Sequence, residues 1–176
     1  MPLPTLLRPF RPADDAALLL DWITGPTELI TWAGPSFTWP LDHAQLAAYA
    51  AEPGRHTFTA VTAVTAVTAV ERPVGHISLR RHTDAPGARL GRVLIAPEAR
   101  GQGLGEQLLT LAIERGFGEL GLPEIDLGVY AHNTPAVRLY EKLGFRTEQV
   151  LRDVELVDGV RWSALQMRLV SPHQGQ

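Results

Sequence analysis

The chain contains no cysteine. Disulfides, thiolate metal sites and a cysteine nucleophile are therefore excluded together, and no metal is expected. If an acyl group is transferred here, it does not rest on a protein thiol, and direct passage between two bound substrates is expected. Long apolar runs are also missing: none approaches the length of a membrane span. The start, Met1-Pro-Leu-Pro-Thr-Leu-Leu-Arg8, lacks the charged segment and apolar core of a secretory signal. A cytoplasmic location without a membrane partner is the expectation. Excess charge of one sign is absent too, with 16 Lys and Arg against 19 Asp and Glu and a net charge of -3, so no nucleic-acid partner is expected. The composition, 45% apolar and 20% charged, is that of a globular protein rather than a disordered one. At 176 residues the chain suits one domain with its own core. Residues 1–170 are expected to form it, with 171–176 as a disordered tail.

What is present centres on the run Arg100-Gly-Gln-Gly-Leu-Gly105, just after the apolar stretch Val93-Leu-Ile-Ala96. Glycines at alternate positions leave a backbone with little side-chain cover, able to close on a ligand and turn N–H groups inward. An apolar helical segment follows from Leu104 to about Phe117. The loop thus feeds a helix N-terminus, where unpaired N–H groups and the helix dipole favour an anion, phosphate above all.

The rest of the chain reads as strands and helices in alternation. Thr5 to Phe10 is a first strand. Pro12 with Asp14 and Asp15 opens a helix to about Ile23. Residues 25–40, rich in Pro, Gly and Trp, form a partly helical aromatic loop, and Asp42 with Gln45 reads as a capping pair for a helix through about Ala51. Thr59-Ala-Val is repeated four times up to Val70. Its period of three suits neither strand nor helix; it is expected to begin as the second strand and to lengthen the connection to the third, Val74 to Arg80. Arg89 to Ala96 is a fourth strand, 103–119 a helix, Glu124 to Ala131 a fifth strand, and Pro135 to Leu143 a short helix stopped by Gly144. Two further strands flank the hairpin turn Asp158-Gly159. This order predicts an α/β or α+β protein, a sheet with helices packed on it.

Two familiar phosphate loops do not fit. A P-loop needs Lys-Ser/Thr after its glycines, and none is here. The dinucleotide fingerprint places Glu106 or Leu108 where its third glycine belongs. The remaining pattern, Arg-x-x-Gly-x-Gly after a strand ending in Ala-Pro, resembles the GCN5-related N-acetyltransferase (GNAT) superfamily. Val93 to Leu109 looks like its acetyl-CoA pyrophosphate motif. Leu127-Gly-Val-Tyr-Ala-His-Asn133 and Ala136-Val-Arg-Leu-Tyr-Glu-Lys-Leu-Gly-Phe145 are similar to its second block. Leu7-Arg-Pro-Phe-Arg11 and Arg152-Asp-Val-Glu-Leu-Val-Asp-Gly159 look like the ribosomal-protein-alanine acetyltransferase branch.

The resemblance implies a mixed, mostly antiparallel sheet of about seven strands, with helices on both faces and strands four and five splayed apart. It implies an acetyl-CoA-dependent N-acetyltransferase acting on a primary amine: a protein N-terminus, a polyamine, an amino acid or an aminoglycoside. The protein would be a monomer or homodimer. The backbone of Leu94, Ile95 and Ala96 would pair with the pantetheine amides, one N–H there steadying the thioester oxyanion. N–H groups of Gly101, Gln102, Gly103, Leu104 and Gly105 would cradle the pyrophosphate, with Arg100 adding charge. Asn133 would touch the pantetheine arm, or else cap a helix. Tyr140 stands at the usual general-acid position, or packs as a structural aromatic. Trp32, Phe37 and Trp39 would roof the acceptor site, or cap the first helices. Relatives often carry a carboxylate on the fourth strand, near Arg89 here, and arginine cannot act as a base. His76, Asp126, His132 and Glu28 are the other bases to weigh, His76 having the best intrinsic pKa, with water relaying the proton to bulk as an equal contender. A CoA-binding module without turnover is the rival reading.

Overall fold

The computed structural model describes residues 4–63 and 70–173. In chain order they form β1 (Thr5–Pro9), α1 (Pro12–Trp22), α2 (Pro26–Ala33), a 3-10 turn (Gly34–Ser36), α3 (His43–Ala50), β2 (Arg55–Ala63), β3 (Glu71–Arg81) and β4 (Ala88–Ile95). After a second 3-10 turn (Pro97–Ala99) come α4 (Leu104–Phe117), β5 (Glu124–Tyr130), α5 (Thr134–Lys142), β6 (Arg146–Val157) and β7 (Val160–Val170). The strands form one sheet in the order β1-β2-β3-β4-β5-β7-β6. Most of the repeat's later copies, 64–69, lie outside the described residues, as do 174–176.

The chain divides into two compact units, one of Met1–Arg80 with Arg92–Ala112, the other of Arg81–Gly91 with Ile113–Gln176. In the first, β1, β2 and β3 form an antiparallel meander, with Thr5↔Thr62 through Pro9↔Phe58 and Arg55↔Arg80 through Ala63↔Glu71. The first copies of the repeat therefore do lie on a strand. A bulge between Ala60 and Val61 interrupts the β2–β3 register, and this slip is one way a strand absorbs a pattern that is not of period two. Leu19, Leu29, Leu46, Ile77, Leu79, Leu108 and Leu109 are fully buried in this unit.

One buried charge organises the start of the chain. Asp15 reads from sequence only as an acid in the first turn of a helix. Its carboxylate accepts hydrogen bonds from Arg8 Nη1 and Nη2 (2.7 and 3.0 Å), from the Arg11 N–H (2.8 Å) and from Thr59 Oγ1 (2.9 Å). It ties β1, the N-terminus of α1 and β2 together. Burial pushes its pKa up, but these donors outweigh burial and hold it below the usual value. The capping pair is half as expected: Asp42 Oδ1 accepts from Gln45 N (2.9 Å), while the Gln45 amide turns to Thr38 and Pro40 instead of reaching back.

In the second unit β5 runs antiparallel to β7, from Glu124↔Val170 to Tyr130↔Ala164, and β6 pairs with β7 as a long hairpin. Asp158 and Gly159 at its turn both have positive φ (50° and 78°), as a two-residue primed turn requires. The parallel β4–β5 ladder consists of the pairs Ala88↔Ile125 and Arg89↔Asp126. Ser171, the first residue of the expected tail, is buried and donates its N–H to Pro123 O (2.9 Å).

Candidate functional site

The end of β4 and the loop after it belong to the first unit. Ala96 donates its N–H to Val74 O (2.8 Å), and the Leu94 carbonyl lies against Gly75, 2.8 Å from where a Cβ would stand. Both groups are committed to β3. Successive residues of a strand turn their amides to opposite edges, so Ile95 faces the other edge. Its carbonyl accepts from Arg100 Nε (3.3 Å). Of the three residues expected to offer backbone to pantetheine, Ile95 is the one whose amide points away from β3.

Gly101 and Gly103 each adopt φ +77°, and a Cβ on either would meet no atom within 4 Å. Two left-handed glycines, one residue apart and with open space beside them, leave the backbone uncovered just before a helix. Leu104 then starts α4 at once, and the Gly103 carbonyl accepts from Gln107 N (3.4 Å). The loop and the helix N-terminus together present the kind of N–H groups that suit an anion.

The aromatic residues after α1 gather, with one exception. Trp32 stacks on Phe37 (5.6 Å, 8° between planes), and both meet Tyr49 edge-on. Trp39 stands outside that stack, 45% exposed. Arg92, on β4, joins the group: its guanidinium lies 5.8 Å from the Phe37 ring centre and 5.9 Å from that of Tyr49, and Nη2 donates to Ser36 Oγ (2.8 Å). Sequence reasoning passed over Arg92. Its signal was a lone cation directly before the apolar run Val93–Ala96.

His76 lies beneath this group, 1% exposed, with Nε2 3.0 Å from the Tyr49 hydroxyl and its ring 6.0 Å from Trp32. Burial pushes its pKa down to about 3; Asp15 opposes this, and Arg92 and Arg55 add to it. The imidazole is neutral across the physiological range and a feeble base. Tyr49 is also buried, its phenol pushed up to about 12 by burial. The Tyr49 hydroxyl engages His76 at Nε2 and leaves Nδ1 as the other ring nitrogen. Nδ1 and the Trp32 Nε1 are both buried with no hydrogen-bond partner among the described residues.

The second unit holds the remaining residues. Asn133 precedes α5 at the cap position, yet its side chain makes no capping hydrogen bond. The cap reading thus draws no support from geometry. Tyr140, on α5, is 8% exposed and edge-on to Phe145 at 5.8 Å; burial pushes its phenol up to about 12. Arg89 donates from Nη1 to Asp126 Oδ1 (2.9 Å) and Gln166 Oε1 (3.0 Å), and Asp126 is also bound by His82. Asp126 is thus engaged on both oxygens. His132 is exposed beside Trp162 and Tyr130, and Glu28 is exposed on α2. Among the described residues no cluster of three metal-binding side chains occurs, and no helix is long and apolar enough to cross a membrane.

The model of the acetyltransferase (GNAT) family matches residues 27–145. A spermidine N(1)-acetyltransferase of Escherichia coli K12 is 34% identical over 76 residues, 43% of this chain and 41% of that protein. A mycothiol acetyltransferase of Pseudarthrobacter chlorophenolicus is 53% identical over 51 residues, 29% of this chain and 16% of that protein. The matched stretches thus span less than half of these relatives. The crystal structure of spermidine N-acetyltransferase from Vibrio cholerae in complex with CoA and spermine has the same fold, with a TM-score of 0.79 at 20% identity over 94% of this chain and 95% of that one.

Proposed function

The chain belongs to the acetyltransferase (GNAT) family, and on that premise we propose that residues 1–170 form an acetyl-CoA-dependent N-acetyltransferase that passes an acetyl group directly to a primary amine. The observation that carries this is the pair of left-handed glycines, Gly101 and Gly103, with nothing above them and a helix starting immediately after. The N–H groups from Gly101 to Gly105 fit a pyrophosphate there, and Arg100 adds a positive charge at the mouth.

Acetyl-CoA brings an activated thioester; the chain supplies position and electrostatics. The Ile95 N–H is the donor placed to steady the carbonyl oxygen as it gains charge. Asn133, free of capping duty, is available to the pantetheine arm. Tyr140 has a pKa of about 12, so its proton stays in place over the whole neutral range. A phenol so weakly acidic serves the departing sulfur first as a hydrogen-bond donor, with solvent completing the proton balance. His76 is a poor base for the amine, being buried and having a pKa of about 3. Asp126 is held by Arg89 and His82. The amine proton is therefore assigned to water leading to bulk solvent.

The test is release of CoA thiol from acetyl-CoA with a panel of primary amines. The absence of cysteine from the protein means that a thiol reagent reads CoA alone. Amine-dependent release supports the proposal. Tight acetyl-CoA binding without release for any amine would support the rival, a CoA-binding module without turnover.

A further inference from the structure

In the second unit a carboxylate fixes the orientation of one histidine. His82 directly follows β3, and its backbone N–H donates to Gly87 O (3.1 Å) in the turn before β4. Its Nε2 is hydrogen-bonded to Asp126 Oδ2 on β5, while Arg89 Nη1 donates to the other Asp126 oxygen (2.9 Å). An ionised carboxylate only accepts, so Nε2 carries the hydrogen and Nδ1 is the nitrogen that takes up a proton or gives one back. Nδ1 has no hydrogen-bond partner among the described residues, and the side chain is 29% exposed and open to solvent. An imidazole held at one nitrogen by a carboxylate, with the other nitrogen open, is arranged to exchange protons. The charged groups around the pair are matched. Arg168, opposite Asp126 on β7, is held by Glu124 and Glu148. Arg81 donates to Leu120 O, and Asp84 in the turn accepts from Thr83.

Position ties this pair to the reaction. Asp126, Gly128 and Tyr130 share one face of β5. Gly128 is exposed and brings no side chain; the Arg89 guanidinium lies over it, beside the Gln166 amide. Tyr130 stands roughly 13 Å along the strand from Asp126. Its carbonyl accepts from the N–H of Asn133 (2.9 Å), the residue available to the pantetheine arm. One half-exposed polar strip of the sheet thus runs from the Asn133 turn to His82.

We infer that His82, oriented by Asp126, receives the proton that water carries away from the acceptor amine. The inference rests on the acetyl-transfer reading above and names the receiver of its proton. The substrate ammonium gives one proton to water, and a proton passes through water to the Nδ1 lone pair of His82. The neutral amine then forms its C–N bond to the thioester carbon, and the C–S bond breaks. The surplus proton on nitrogen leaves through water, and the departing thiolate is protonated from solvent. His82 returns its proton to bulk between turnovers. It acts through water rather than by touching the amine, and Asp126 is its positioning residue.

The experiment measures CoA release at varied amine and saturating acetyl-CoA for the unmodified protein, His82→Gln and His82→Ala, using the best acceptor from the amine panel. Gln keeps an N–H for Asp126 but has no titrating nitrogen. His82→Gln is expected to lower kcat/KM for the amine by about 10- to 100-fold, less than the full range of general-base catalysis because water remains. KM for acetyl-CoA should stay within about twofold, as for a group outside the cofactor site. One ionisation should also disappear from the pH dependence of kcat/KM. His82→Ala should lose as much and recover several-fold when imidazole is added to the buffer, at concentrations that leave the unmodified protein unchanged. A purely structural His82 predicts near-normal rates in His82→Gln and no rescue of His82→Ala. If one variant fails to fold, judged by its thermal transition, the other decides. Full activity of His82→Gln with an unaltered pH dependence, or a loss in His82→Ala that imidazole leaves untouched, would overturn the inference and leave the acetyltransferase reading standing. Absence of CoA release from the unmodified protein with every amine would overturn both.

Discussion

Replacing Gly103 with alanine separates two effects of one methyl group. The first is conformational. Gly103 has φ +77°, a region that costs an L-residue roughly 1–2 kcal/mol. No atom lies within 4 Å of the new Cβ, so no steric clash adds to that figure. For a chain of this size the loss lowers the melting temperature by about 2–8 °C. The second effect concerns the ligand. The methyl would occupy the space that the pyrophosphate needs and push it off a backbone N–H. Losing one charge-assisted hydrogen bond is worth about 1.5–3 kcal/mol, or roughly a 10- to 100-fold loss in kcat/KM for acetyl-CoA. Gly121 supplies the control. It too has positive φ (61°) and open space around its Cβ, but it lies outside the loop. Gly121→Ala should destabilise by a similar amount and leave acetyl-CoA kinetics unchanged. Thermal unfolding followed by circular dichroism and initial rates at varied acetyl-CoA, measured on both variants, give the answer. Equal kinetic losses in the two variants, or none in Gly103→Ala, would refute the cradle.

Three further outcomes are expected. Tyr140→Phe should lower kcat by about 10-fold or more while KM for acetyl-CoA moves little, as for loss of a hydrogen bond to the departing sulfur; steady-state kinetics that leave kcat unchanged would remove the phenol from the chemistry. Asp15→Asn should destabilise by about 3 kcal/mol, because Arg8 loses its buried partner, and denaturant titration that found less than about 1 kcal/mol would contradict that role. Because the folded pKa of Asp15 is depressed, its contribution is complete above the ordinary carboxylate range and disappears as pH falls through the lower folded value. His76 also has a depressed folded pKa, about 3 against 6.5. The unfolded chain takes up that proton first, so stability is full above pH 6.5 and falls by about 3 kcal/mol on the way to about pH 4. His76→Gln should flatten that part of the stability curve; an unchanged slope would mean that His76 is protonated in the fold.

The elements most legible in the sequence are those set by neighbours along the chain. The alternate glycines after an apolar strand, Pro12 opening α1, Gly144 ending the turn after α5 and Asp158-Gly159 closing the last hairpin each constrain φ directly, and each stands where its local pattern placed it. The aromatic loop was legible in composition but not in arrangement: Trp32 and Phe37 stack while Trp39 faces solvent, because side-chain burial depends on what lies across from it. Asp15 and Arg92 were missed for the same reason. A first-turn aspartate and a cation on a strand are commonplace until Arg8, Thr59, Phe37 and Tyr49 are brought to them.

The sequence by itself determined the family and the left-handed glycine turn before α4, the latter because glycine enforces that backbone locally. Tertiary structure alone decided which edge of β4 is committed to β3, how deeply His76 is buried, which pushes its pKa down, and that a guanidinium lies among the aromatic rings. Those properties arise from hydrogen-bond pairing, desolvation and charge between residues far apart in the chain, and none of the three is encoded in spacing along it.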